Sequence, residues 1–148
     1  MKATETRYDP NNNLVTTTLS GFVNSEDVEQ WKQSLSDTLD SLPENGGFKI
    51  FVNLHGFKAE NFDVHKQFRN VIPLTLADYG FRAGYVEMFE NVDLPLQNKR
   101  GIKCLAAAHC HQDETKIANY QQQFSKPNEQ FFTDPLAAAN WISKLQVS

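Results

Sequence analysis

Four histidines and two cysteines are the side chains of this 148-residue chain whose types and spacing suit chemistry: His55, His65, His109, His111, Cys104 and Cys110. His109 and His111 stand two apart, so on an extended segment their imidazoles share a face and form a usable metal pair. His55 is the natural third ligand, with Asp113 or Glu114 as a carboxylate supplement. The same imidazoles, with Lys58 nearby, suit an anionic or apolar ligand equally well, and His55, His65, His109, His111 and Lys58 are the candidate ligand-binding residues. No residue is assigned a catalytic role. Nucleophilic catalysis needs a thiolate beside a base. Cys104 lies inside an apolar run and reads as a core thiol, whereas Cys110, between two histidines, reads as a loop thiol that reacts faster. The cysteines are six positions apart, roughly 20 Å on an extended chain, which excludes a disulfide between them in one strand. Gly-rich phosphate loops, Gly-x-Ser-x-Gly elbows and Cys-x-x-Cys pairs are absent from the sequence.

These residues need elements that gather them. Residues 102–108, Ile-Lys-Cys-Leu-Ala-Ala-Ala, form a mostly apolar run too short for a membrane span, the pattern of an innermost strand covered on both faces. Residues 48–54 are rich in aromatic and β-branched types and form a second central strand. If both are parallel in one sheet, His55 and His109 leave it at the same edge, roughly 5 Å apart if the strands are neighbours. Ligands of open α/β sheets bind at that edge. His65 then falls in the first turn of the helix fed by the His55 loop.

Around these strands, residues 4–9 and 14–19 make an opening hairpin across Pro10-Asn11-Asn12-Asn13, where Asn supplies a positive φ. Asn24 or Ser25 caps a first helix, with Glu26 and Asp27 in its first turn and Val28, Trp31, Leu35, Leu39 and Leu42 as its stripe. Asp63 is the expected cap of a helix from Val64, with a kink or a restart at Pro73 and a stop at Gly80. Residues 81–89 read as a strand and 90–100 as a loop. Asp113 caps a helix carrying Ile117, Tyr120 and Phe124, residues 130–132 form a short strand, and Asp134-Pro135 starts a last helix with Leu136, Ala139, Ile142 and Leu145 on its apolar side and Trp141 beside it. The aromatics Trp31, Phe68, Tyr120, Phe124 and Trp141 are assigned to the core, and Lys58, Lys66, Arg69 and Lys116 to solvent, with the alternative that they favour an anion near the two helix N-termini that meet the histidine edge. Strands alternating with helices imply right-handed βαβ units, hence a single α/β domain whose sheet is mostly parallel with an antiparallel N-terminal hairpin.

Composition bounds the function. A net charge of −4 and a pI near 5.5 argue against nucleic acid as the main partner. No stretch approaches the roughly 20 apolar residues of a membrane span, and the N-terminus has no apolar leader, so the chain reads as cytoplasmic.

The order of elements, the string Phe51-Val52-Asn53-Leu54-His55-Gly56-Phe57, and Phe131-Phe132-Thr133-Asp134 followed by Ala138 and Trp141-Ile142 resemble the STAS or SpoIIAA-like fold family, the anti-sigma-factor-antagonist domains and their uncharacterised bacterial relatives. The resemblance implies a small α/β domain, residues 1–148, that works by binding a protein partner or a small ligand, with no cofactor. Regulatory members carry a phosphorylatable Ser or Thr after the second central strand. Here residues 55–63 contain no hydroxyl residue, so that switch is not expected. The expectation is a non-enzymatic binding domain for a protein or a small apolar or anionic molecule, with self-association left open; the alternative is a metal- or histidine-dependent enzyme using the histidine edge.

Overall fold

The computed structural model describes residues 2–88 and 94–146. Six strands and five helices form a mixed α/β sheet among them: β1 (Ala3–Asp9), β2 (Leu14–Val23), α1 (Ser25–Asp40), β3 (Gly47–Asn53), β4 (Phe57–Ala59), α2 (Phe62–Arg69), α3 (Val71–Ala77), β5 (Lys103–Cys110), α4 (Glu114–Phe124), β6 (Glu129–Phe132) and α5 (Pro135–Lys144). The strand order is β1-β2-β3-β5-β6, with β4 paired to β2. The β1-β2 hairpin is antiparallel and every other strand pair is parallel. Asn13 closes the hairpin with φ 52°, a conformation asparagine tolerates.

Strand β5 is flanked by β3 and β6 and buried on both faces, although β3 is the middle strand of the order. A bulge at Leu105, where the register skips from Phe48↔Cys104 to Lys49↔Ala106, changes which residues share a face. Cys104 and Ala107 therefore join Phe48, Ile50, Val52 and the α1 stripe in the larger core. Ala106, Ala108 and Cys110 pack with Leu14, Phe51 and the α5 residues Ala138 and Ile142. His109 follows the parity of Ala107 and turns away from α5.

The helix ends explain where the chain stops and starts. Asn24 accepts from Asp27 N–H while the Asp27 carboxylate accepts from Asn24 N–H, a reciprocal box that stabilises α1 by about 1 kcal/mol. Asp113 and Asp134 cap α4 and α5 as expected.

Several expectations are corrected. The cap before α2 is Asn61, whose side chain accepts from Val64 N–H, and not Asp63. The helical break lies at Asn70, three residues before Pro73; Pro73 occupies the first turn of α3, where a missing N–H costs no helix bond. Residues 84–88 form a 3-10 turn instead of a strand, and Phe89 lies outside the described residues. The expected 90–100 loop is described only from Leu94, and Lys99–Gly101 is a 3-10 turn. Of the expected α5 face, Ile142 is buried and Ala139 and Leu145 pack against the core, but Leu136 is 80% exposed and Ala138 is buried in its stead. Strand β5 runs through Cys110, so Cys110 is a buried strand residue and not a loop thiol. No described helix is long and apolar enough to cross a membrane.

Candidate functional site

Parallel β3 and β5 are direct neighbours, with Val52 opposite His109 and Asn53 opposite Cys110, so the two chains leave the sheet at one edge. Leu54 N–H donates to Cys110 C=O at 2.9 Å just past the ladder. Gln112 ties the two exits together: its Oε1 accepts from Gly56 N–H at 2.8 Å and its Nε2 donates to Phe57 C=O at 2.9 Å.

Beside this edge is a cavity of about 250 Å³, walled by β3 and β5, by α2 and α4, and by the 84–88 turn. Val52, Leu54, Phe68, Ile117 and Phe131 supply apolar wall, and His65, His109 and His111 all line it. Three of the four predicted histidines are thus brought together. His55 and Lys58 are exposed and do not line the cavity. Among the described residues no group of three or more His, Cys, Asp or Glu side chains could hold a metal ion, so the His109–His111–His55 set is not gathered into one.

His109 is the most constrained of the three. It is 7% exposed, and its Nε2 lies 2.8 Å from Oε2 of Glu129, a carboxylate with no exposure at all. Glu129 also accepts from Gly84 N–H at 3.0 and 3.3 Å, and Lys126 Nζ lies 3.7 Å away. The imidazole stacks on Phe131, with ring centres 4.8 Å apart, and meets the edge of Tyr85 at 5.5 Å. A carboxylate only accepts, so Nε2 is the ring nitrogen that donates to Glu129, and the bond fixes the orientation of the imidazole. Burial and the Glu129 carboxylate raise the pKa of Tyr85, so its phenol stays protonated. Tyr120, stacked on Tyr85 at 5.7 Å, is shifted the same way by burial.

His111 is held differently. Its Nδ1 accepts from Asp113 N–H at 3.1 Å, which places the proton of the neutral ring on Nε2. Burial, then the Lys116 ammonium, push its pKa down to about 4; His55 and His65 act in the same direction and Asp113 opposes them. His65 is also lowered, by burial, Lys116 and Arg69. Lys116 itself is lowered by burial, against the pull of Asp113, and its Nζ sits 5.6 Å from the centre of the Tyr120 ring.

Sequence reasoning missed two contributors, Glu129 and Tyr85. Glu129 was read as a residue ahead of the strand, yet it begins β6 and faces His109. Tyr85 was placed in a strand that is a 3-10 turn. Lys116 and Arg69, expected as solvated charges or as groups favouring an anion at this edge, both line the cavity. Tyr120 and Phe124 are only partly buried, whereas Trp31 and Phe68 are core. Comparison with known protein families, with functionally described proteins and with solved structures finds no match.

Proposed function

We propose that this chain is a binding domain, in the manner implied by its STAS-like resemblance, and that what it binds is a small molecule held in the strand-exit cavity. The observation that carries this reading is the cavity itself: a concave, mostly apolar and aromatic space with a few converging polar groups, at the carboxyl ends of parallel strands, the usual place and chemistry of a ligand site. Its volume sets the scale. A cavity of roughly 150 Å³ holds one benzene, and drug-sized ligands occupy roughly 300–1,000 Å³, so about 250 Å³ suits one or two rings or a short branched chain.

Saturation-transfer NMR with indole, 2-naphthol and 2-naphthoate tests the reading. At least one compound is expected to bind the native protein and to lose binding in Ile117→Trp, which fills the space, with Tyr120→Trp as a second filled variant and circular dichroism as the folding check. Binding of none of them, or binding unchanged in both folded variants, contradicts it.

The histidine-dependent enzyme is retained as the second reading because of one observation, the buried Glu129–His109 pair, the arrangement that orients a general base. It requires ester hydrolysis above the buffer rate that is abolished in His109→Gln. A rate equal to that of the buffer removes this reading and leaves the binding domain.

A further inference from the structure

Among the described residues, the fourteen that line the cavity include Arg69, Lys116 and three histidines but no Asp or Glu, in a chain whose net charge is −4. Such a concentration of cationic and donor groups against the overall charge is a field for an anion. The groups also act on one another. Lys116, Arg69, His65 and His111 line the same cavity, Asp113 links two of them by donating its N–H to His111 Nδ1 and accepting from Lys116 N–H, and Lys116 lowers both His65 and His111. Among the described residues no carboxylate pairs with Lys116 within 4.0 Å; Asp113, the acid that acts on it, spends its Oδ1 on Lys116 N–H as the α4 cap. His111 contributes a proton donor at Nε2, because Nδ1 is occupied by Asp113 N–H. Beside them, with Lys116 Nζ 5.6 Å from the Tyr120 ring centre, is a ring cluster: Tyr85 stacks on Tyr120, and His109 stacks on Phe131.

Resting on the binding-site reading above, we propose that the ligand is a small monocarboxylate with a flat apolar body of one or two rings, its carboxylate at Lys116 and His111 and its rings among Tyr85, Tyr120 and Phe131. The aromatic walls take a planar body by stacking and edge contacts. A carboxylate needs two or three donors, which Lys116 and His111 provide. Phosphate is the poorer fit, since the cavity has no glycine-rich loop to present a row of backbone N–H groups.

Isothermal titration of the full chain separates the parts, using 2-naphthoate, the neutral analogue 2-naphthalenemethanol, and inorganic phosphate. A charge-assisted hydrogen bond is worth about 1.5–3 kcal/mol, so 2-naphthoate is expected to bind about 10- to 100-fold more tightly than the alcohol. Lys116→Met is expected to remove most of that preference and Lys116→Arg to keep it, with the far-ultraviolet circular dichroism of both variants unchanged. Equal affinity for acid and alcohol overturns the anion assignment and leaves the cavity reading standing. Binding of neither overturns both. Phosphate that saturates the site and displaces 2-naphthoate overturns the monocarboxylate in favour of a tetrahedral oxyanion.

Discussion

Removing Glu129 exposes how much the site's geometry depends on a single buried charge. Glu129→Leu takes away the acceptor of His109 Nε2–H at 2.8 Å and of Gly84 N–H at 3.0 Å, and neither donor has water to turn to where the carboxylate was fully buried. Two unsatisfied donors at about 1–3 kcal/mol each, or the breaking of a buried pair at about 3–5 kcal/mol, give the same expectation: a loss of about 3–5 kcal/mol. Against a total stability of about 5–15 kcal/mol this is a large share. His109→Phe keeps a ring to stack on Phe131 but removes the bond to Glu129, leaving the carboxylate with Gly84 N–H and distant Lys126. Because the pair is lost only once, the double variant is expected to fall short of the sum of the singles by about 2 kcal/mol. Urea unfolding followed by far-ultraviolet circular dichroism measures all four proteins. A loss below about 1 kcal/mol for Glu129→Leu, or strict additivity in the cycle, would refute the claim that Glu129 and His109 act as one unit.

Three further outcomes follow from the same structure. Thr17 is fully buried and its hydroxyl accepts from Trp31 Nε1 at 2.7 Å, so Thr17→Val is expected to cost about 1–3 kcal/mol in the same urea assay, and a cost near zero would show that the indole N–H finds another partner. Both cysteines are buried, with burial raising the thiol pKa of Cys110 to about 11 and that of Cys104 further still; a thiol reagent at neutral pH should label neither natively and both in urea, and native labelling of either at the unfolded rate contradicts the packing. The folded-state pKa of His111, about 4, lies below its ordinary 6.5, so the unfolded chain binds more protons between those values; stability from this group is intact above pH 6.5 and is lost as the pH falls towards 4, with Lys116, His55 and His65 favouring the shift and Asp113 resisting it. An NMR titration placing the His111 midpoint near 6.5 would overturn this.

The sequence carried the fold where local rules and packing agree. The asparagine-rich turn, the Val28–Trp31–Leu35–Leu39 stripe, the Asp113 cap and the Asp134-Pro135 start each follow from nearest-neighbour chemistry, and each stands in the structure. The parallel pairing of β3 and β5, which brings the histidine edge together, came from topology. Illegible were features set by distant partners. Glu129 is buried because β6 lands beside His109, and no local pattern marks an acid for that fate. Residues 81–88 contain strand-prone types, yet Gly84 N–H is claimed by Glu129 and Tyr85 by the ring cluster, so tertiary contacts select a 3-10 turn. Cys110 lies two residues past the expected strand, and the burial of β5 under α5 decides its environment.

Intermolecular nuclear Overhauser contacts from 2-naphthoate to the native protein test the central claim most directly, because they report where a small molecule sits. The account predicts contacts from the ring protons to Tyr85, Tyr120 and Phe131, and shifts at the His111 and Lys116 amides. Contacts confined to the opposite face, at Trp141 and Leu145 on the far side of the sheet, would contradict it, as would the absence of any saturable contact.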